Sequence, residues 1–281
     1  MPGSITVFTR RAPGRTDDAV RRVAGLCAEA GVRLQVPREE VDKHGFSELP
    51  GADLGTDPDA ATDLALVLGG DGTILSALRR FAGRDVPVFA VNYGAIGFLA
   101  TVENSVLDEG VRRALRGDFE VLGLPALVMG GERWLAVNDF SFHRRAELRV
   151  AELGYSVQGI EIGQVRCDGL VVSTAAGSTG YNLANGGPVL AWGVEGYVVS
   201  FIAPHTLTAR ALVAAPDDVL EVENRSAEEP VDVTTDGRLV CTLDPHERME
   251  VRYRREGAQL VQLPGSSFYR RLRDKFGQLA H

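Results

Sequence analysis

Two hydrophobic rhythms divide the 281-residue chain. In the first part, short apolar runs alternate with amphipathic stretches. SITVFTR, from Ser4, reads as a strand. Thr16 to Ala30 reads as a helix, with Val20, Val23, Cys27 and Ala30 on one face and Gly31 as its stop. VRLQV follows as a strand, and the polar stretch Arg38 to Thr62, containing ELPGADLGTDPDA, reads as a long loop. DLALVL is continuously apolar, as a strand covered on both faces requires. A helix over Thr73 to Ala82 and the buried strand VPVFAVN continue a βαβ rhythm that predicts a doubly wound, parallel α/β domain.

From about Phe119 the period changes to two. MEVRYR places Met249, Val251 and Tyr253 on one face and Glu250, Arg252 and Arg254 on the other; GIEIGQV and VDVTTDG behave alike, and VMGGERW reads as a hairpin turn. These segments predict a second, all-β, sandwich-like domain. SSFYRRLRDKFGQLA returns to a helix whose stripe is Phe268, Leu272, Phe276 and Leu279, read as an amphipathic helix docking on a core. The expected division is 1–116 for the α/β domain, 117–264 for the all-β domain and 265–281 for the closing helix.

A formal net charge of -8 argues against a broad nucleic-acid surface. The three cysteines, Cys27, Cys167 and Cys241, lie far apart and suit a reducing compartment. The N-terminal residues have no signal-peptide pattern, and no apolar run has spanning length, so a cytoplasmic location without membrane contact is expected. Lys43 and Lys275 are the only lysines, which leaves no lysine-based phosphate loop and no kinase-type strand lysine.

Chemistry enters at LVLGGDGTIL, Leu66 to Leu75. A buried strand runs into Gly69, Gly70, Asp71, Gly72 and Thr73, and a helix starts at once. Ligands of parallel sheets sit at the carboxyl ends of strands. The glycines admit close backbone approach, and the helix N-terminus favours an anion. Asp71 does not favour one, unless a cation intervenes or the acid takes a proton, and both cases point to phosphoryl transfer. The other reading is a tight turn with a solvated aspartate.

Three further segments carry candidates. VNYGAIGFLA ends the next buried strand, contributing Asn92 and a wall on which Phe98 and Leu99 turn inward. In WLAVNDFSFHR the apolar phase flips at Asn138-Asp139, as a bulge or bend would cause; an amide beside an acid can read ribose hydroxyls, while a local turn explains the flip equally simply. CDGLVVSTAAGSTGYNLANGGP, Cys167 to Pro188, combines the hydroxyls of Ser173, Thr174, Ser178 and Thr179 with Gly180, the ring of Tyr181 and the amide of Asn182, the mixture a nucleotide needs. Arg149 and Arg166 read equally as ligand contacts and as surface cations, and His143 and His205 read as structural residues.

The GGDGT turn resembles the signature shared by NAD kinases, diacylglycerol and sphingosine kinases and phosphofructokinases. Together with Asn138-Asp139 and the run from Asp168-Gly169 to Tyr181, it is similar to the NAD kinase family over nearly the whole chain; FIAPHTLTARALV and the closing helix extend the likeness. The resemblance implies an α/β domain, an all-β domain and a last helix returning to the first. It implies transfer of phosphate from ATP to the 2′-hydroxyl of the adenosine ribose of NAD, with Mg²⁺ or another divalent cation, in a homodimer or homotetramer whose site is shared across an interface. Asp71 would be the base. Gly70, Gly72, Thr73, Asn92, Phe98, Asn138, Asp139, Arg149, Arg166, Asp168, Thr179, Gly180, Tyr181, Asn182, Ala184, Ala203 and Arg238 would contact substrates. The chain departs from the family pattern at Ala184, which lacks a hydroxyl, at Ser76, where many relatives carry arginine, and at Arg238, which stands for glutamine. A lipid or sugar kinase of the same superfamily, or a non-catalytic NAD(P) sensor, are the alternatives.

Overall fold

Continuous apolar runs need cover on both faces, and in the first half of the chain they receive it from helices. The computed structural model describes residues 1–57, 59–94, 97–145 and 149–277, in two units: Met1–Gly123 with the chain from Ala258 onward, and Leu124–Gly257. The first unit contains β1 (Ser4–Thr9), α1 (Asp17–Ala30), β2 (Arg33–Pro37), α2 (Arg38–His44), β3 (Ala52–Thr56), β4 (Leu64–Gly69), α3 (Asp71–Arg80), β5 (Val88–Asn92), β6 (Val102–Glu103) and α4 (Leu107–Arg116). Its strands pair in parallel in the order β3-β2-β1-β4-β5, with β6 beyond β5. Every residue of β1, β4 and β5 is buried.

Three details of this unit depart from the sequence reading. The stretch Arg38 to Thr62 is not all loop, because it contains α2 and β3. Glu40, a buried acid on α2, accepts from the Thr9 backbone at 3.1 Å and from its hydroxyl at 2.6 Å, and β3 pairs with β2. Helix α1 does stop at Gly31, which is left-handed, but Ala30 is exposed; Ala24 and Leu26 extend the buried face. Helix α3 begins two residues earlier than expected, at Asp71, because the Gly70 carbonyl already accepts from the N–H groups of Thr73 and Ile74 and an acid in the first turn suits the helix dipole.

The second unit holds β7 (Glu120–Met129, shared with the first), β8 (Trp134–Ala136), β9 (Asp139–Arg144), β10 (Ala151–Val157), β11 (Ile160–Cys167), β12 (Gly169–Ser173), the single turn α5 (Tyr181–Ala184), β13 (Tyr197–Ile202), β14 (Leu212–Ala214), β15 (Leu220–Asn224), β16 (Val231–Thr235), β17 (Arg238–Leu243) and the start of β18 (Arg248–Gln262). β14-β13-β12-β9-β16-β17 form one antiparallel sheet, and β11-β10-β15-β18 pair antiparallel in another. Phe140, Phe142, Leu170, Val172, Leu153, Val222 and Val251 from the two sheets share one core, the sandwich-like arrangement that period-two alternation predicts. β18 ends in the first unit, where Leu260 pairs with Val88, and α6 (Phe268–Phe276) follows there. Leu279 of the expected stripe lies outside the described residues.

Candidate active site

The first cluster of candidate residues forms where β4 meets α3. Gly70 is the N-cap of α3 and Asp71 its first residue, half-buried and the only acid in that turn. Both carboxylate oxygens are held: Oδ2 accepts from the Phe98 N–H at 3.0 Å and Oδ1 from the Leu99 N–H at 3.2 Å. Phe98 and Leu99 are buried, which fixes the donors. Gly94 must be glycine for a steric reason, since its Cβ would lie 2.9 Å from the Gly70 Cα, and a Cβ on Gly70 would in turn lie 3.2 Å from the Gly94 Cα. Asn92 is buried, and its amide is used internally, donating to Glu103 at 2.9 Å and accepting from the Gly94 N–H at 2.9 Å. Gly72 is exposed and Thr73 half-buried. Ser76 turns its hydroxyl onto the Gly72 carbonyl at 2.9 Å, so it supplies no cation here.

Both lysines lie away from this turn in their bonding. Lys43 donates to Glu40 at 2.7 Å and to the Thr9 carbonyl at 3.0 Å; Lys275 pairs with Glu103 at 3.4 Å.

The second cluster is built around the break between β8 and β9. Asp236, left-handed at φ 43°, accepts from the N–H groups of Val137 at 3.2 Å, Asn138 at 2.8 Å and Asp139 at 3.1 Å, and its own N–H donates to the Asp139 carbonyl at 2.9 Å. The face change in the sequence is therefore a strand break clamped by a carboxylate about a hundred residues downstream. Asp139 is 6% exposed, and burial, with the charge of Asp236 added, pushes its carboxyl up to about 7. Asn138 presents a buried Oδ1 with no hydrogen-bond partner among the described residues, an acceptor available to a ligand. A Cβ at Gly177 would collide with the Asn138 carbonyl, so the loop after β12 packs directly on this backbone.

Tyr181 stacks on His143, ring centroids 5.5 Å apart and 17° from parallel. Burial raises its phenol, and the charges of Asp139 and Asp168 add to the shift, so all three belong to one neighbourhood. Burial lowers the His143 imidazole, whose Nε2 lies 2.7 Å from the Ser141 hydroxyl. Asp168 accepts from Arg144 Nε at 2.5 Å.

The hydroxyl-rich run behaves differently from its sequence reading. Ser173, Thr174 and Ser178 are buried and serve the loop itself: Thr174 donates to the Val137 carbonyl at 2.6 Å, and Ser178 donates to the Ala175 carbonyl at 2.7 Å while accepting from the Leu190 N–H. Thr179 donates to the Ala176 carbonyl at 3.3 Å. Asn182 is fully buried, its NH₂ donating to the carbonyls of Ser178 and Pro188. Gly180 and Ala184 are exposed, as are Arg149, Arg166, Ala203 and Arg238; Ala203 is left-handed at φ 43°.

Comparison with known proteins resolves what this assembly belongs to. The model of the ATP-NAD kinase N-terminal domain matches residues 46–119, and that of the ATP-NAD kinase C-terminal domain matches residues 137–263. The NAD kinase of Gemmatimonas aurantiaca is 37% identical over 227 residues, 78% of each chain. That of Citrifermentans bemidjiense is 32% identical over 279 residues, 96% of this chain and 97% of its own. The chain belongs to the NAD kinase family. Two solved structures share the fold. Yeast NADH kinase complexed with NADH superposes with a TM-score of 0.87 at 21% identity, covering 100% of this chain and 89% of that one. An NAD kinase from Archaeoglobus fulgidus in complex with ATP gives 0.76 at 24% identity, covering 98% of each.

NAD kinase membership sets aside the lipid-kinase, sugar-kinase and sensor alternatives. It also draws attention to residues that sequence reading did not select. Asp236 sits in a turn that carries no local sign of its three distant donors. His143 was read as structural, yet it backs Tyr181. Arg144 holds Asp168, and Arg271 on α6 donates to the Phe98 carbonyl at 3.0 Å.

Proposed function

We propose that this NAD kinase family member transfers the γ-phosphoryl group of ATP to the 2′-hydroxyl of the adenosine ribose of NAD, giving NADP and ADP, with Asp71 as general base. The observation that carries this reading is the Asp71 carboxylate, fixed through both oxygens by two peptide N–H groups at the start of a helix that follows a glycine turn. A carboxylate so held is oriented before substrate arrives, and the positive end of the helix dipole beside it favours phosphate oxygens. As the new O–P bond forms, the hydroxyl proton passes to Asp71. The bond from the γ-phosphorus to the β–γ bridging oxygen breaks, and its electron pair leaves with ADP.

Asn138, Asp139, Asp168 and Tyr181 are assigned to recognition of the dinucleotide, supported by the orphaned Asn138 acceptor and by the clustering of the other three. Asp139, pushed up to about 7, can either accept from or donate to a ribose hydroxyl near neutral pH. Gly70, Gly72, Thr73, Thr179, Gly180, Ala184, Ala203, Arg149, Arg166 and Arg238 are assigned to the periphery of the substrates. Asn92 and Phe98 act by shaping the backbone, because their polar groups are engaged within the chain; Asn182 is tied through its NH₂, while its buried Oδ1 has no partner among the described residues, as at Asn138.

Among the described residues no group of three or more His, Cys, Asp or Glu gathers as a metal cage. The residues fit a divalent cation that arrives with the nucleotide and takes most of its ligands from phosphate, with Asp71 the carboxylate at the turn. Such an ion, Mg²⁺ by preference, would neutralise phosphate charge.

A homodimer or homotetramer is proposed in addition. Strand β11 ends its sheet and exposes Ile160 and Ile162, an apolar edge that pairing between copies would cover. A cytoplasmic location is supported by three free thiols. No helix among the described residues is long and apolar enough to cross a membrane. The test of the activity is incubation with ATP, Mg²⁺ and NAD, with mass spectrometry and NMR locating the new phosphate. NADP with a 2′-phosphate supports the reading, and the absence of phosphate transfer under conditions where NAD and ATP bind contradicts it.

A further inference from the structure

Helix α6 reaches Asp71 through a single peptide. The Phe98–Leu99 peptide donates its N–H, on Leu99, to Asp71 Oδ1 at 3.2 Å, and its carbonyl, on Phe98, accepts from Arg271 Nη1 at 3.0 Å. The same guanidinium donates to the Ala100 carbonyl and to the side-chain oxygen of Gln262. It therefore grips the segment on either side of the peptide that holds the carboxylate. The Phe98 ring is caught by the same helix, with its centroid 6.1 Å from that of Phe268 and 5.6 Å from that of Phe276.

The geometry has an electrical consequence. A trans peptide carries its carbonyl and its N–H on opposite sides, so a cation on the carbonyl and an anion on the N–H polarise it in the same sense. Each hydrogen bond then strengthens the other. Arg271 is largely desolvated, which draws its guanidinium down to about 10, while the charges of Asp71 and Glu103 oppose that shift. The cation and the carboxylate thus sense each other across the peptide.

We propose that Arg271 is a positioning residue for Asp71: it fixes the Phe98–Leu99 peptide, and through that peptide it orients the carboxylate that receives the hydroxyl proton. This rests on Asp71 as the base. The role proposed for Arg271 runs through its bonds to the Phe98 and Ala100 carbonyls and to Gln262, and needs no contact with substrate. A residue that only docked the helix would change stability and leave turnover per folded molecule untouched.

The test is a cycle of four full-length proteins, wild type, Asp71→Asn, Arg271→Met and the double variant, with kcat and both KM values normalised to the folded fraction. Arg271→Met is expected to lower kcat about ten- to a hundredfold, the range for loss of a charge-assisted contact, with both KM values within about threefold of wild type. Arg271→Lys, which keeps the cation but not the fork, should recover part of that loss. The double variant should turn over no more slowly than Asp71→Asn alone, because Arg271 acts only through that carboxylate. Wild-type kcat in Arg271→Met, beside an inactive Asp71→Asn, overturns this inference and leaves the base assignment standing. Losses that multiply in the double variant also overturn it. An active Asp71→Asn defeats the base assignment itself. Should Arg271→Met fail to fold, Arg271→Lys is compared with Phe276→Leu, which loosens the same helix without touching the guanidinium. A kcat loss confined to Arg271→Lys supports the inference, and an equal loss in both overturns it.

Discussion

At Gly69–Thr73 a carboxylate is held by two peptide N–H groups and remains half-exposed; at Val137–Asp139 the acid is buried, and the peptide N–H groups bond a second carboxylate instead. Both turns close a strand and both carry an aspartate. The first arrangement fixes the direction of the carboxylate. The second raises the acid of Asp139 to about 7, because it is removed from water and lies near Asp236. The contrast teaches that the same residue type is held and aimed in one unit and buried beside a second acid in the other, according to where the local amides are directed; the roles proposed for Asp71 and Asp139 rest on that difference.

Breaking the first turn should have the largest effect. Asp71→Asn keeps the shape and removes the proton acceptor, so kcat should fall by roughly 10²–10⁴, with NAD binding by calorimetry near wild type. Gly94→Ala attacks the same turn sterically, pressing on Gly70. A loss of about ten- to a hundredfold in kcat/KM is expected, read by steady-state assay. In the second turn, Asp236→Ala strips three N–H groups of their acceptor. The Asn138–Asp139 backbone should loosen, raising the KM for NAD about tenfold while kcat changes less.

A further effect is one of stability, not of turnover, and sharpens the comparison by its sign. The Asp139 carboxyl sits near 7 when folded, above its ordinary value of 3.8. Its contribution to stability is complete below about pH 4 and is lost as the pH rises through about 7, since the unfolded chain releases this proton first. Asp139→Asn has no proton to release. Its stability gain over wild type should be roughly 2–4 kcal/mol at pH 8 and shrink towards zero near pH 4, measured by urea unfolding across that range. The same variant should bind NAD more weakly, the pairing expected of a residue kept for function at a cost in stability.

How much of this was legible in the chain depended on how local each signal is. Apolar runs and the Gly31 stop are local, and they gave β1, β4, β5 and α1. The Asp71 turn stands out in the chain because its carboxylate opposes the anion that the glycines and the following helix start favour. Helix α2 was hidden because the residue that anchors it to β1 is Glu40, a buried acid that accepts from Thr9 and reads as polar surface. The hydroxyls of Ser173, Thr174 and Ser178 read as ligand donors in the sequence because composition cannot distinguish a side chain that binds a ligand from one that ties its own loop. Asp236 and Arg271 act on residues far from them in sequence, by contacts that no spacing rule encodes.

The most direct measurement is a crystal structure of the wild-type chain with NAD bound. The account predicts the Asp71 carboxylate within hydrogen-bond reach, about 2.6–3.2 Å, of the adenosine 2′-hydroxyl, with its contacts to Phe98 and Leu99 retained. A dinucleotide seated in full occupancy with that hydroxyl bonded to another acceptor, and Asp71 turned from it in every copy, would contradict the assignment.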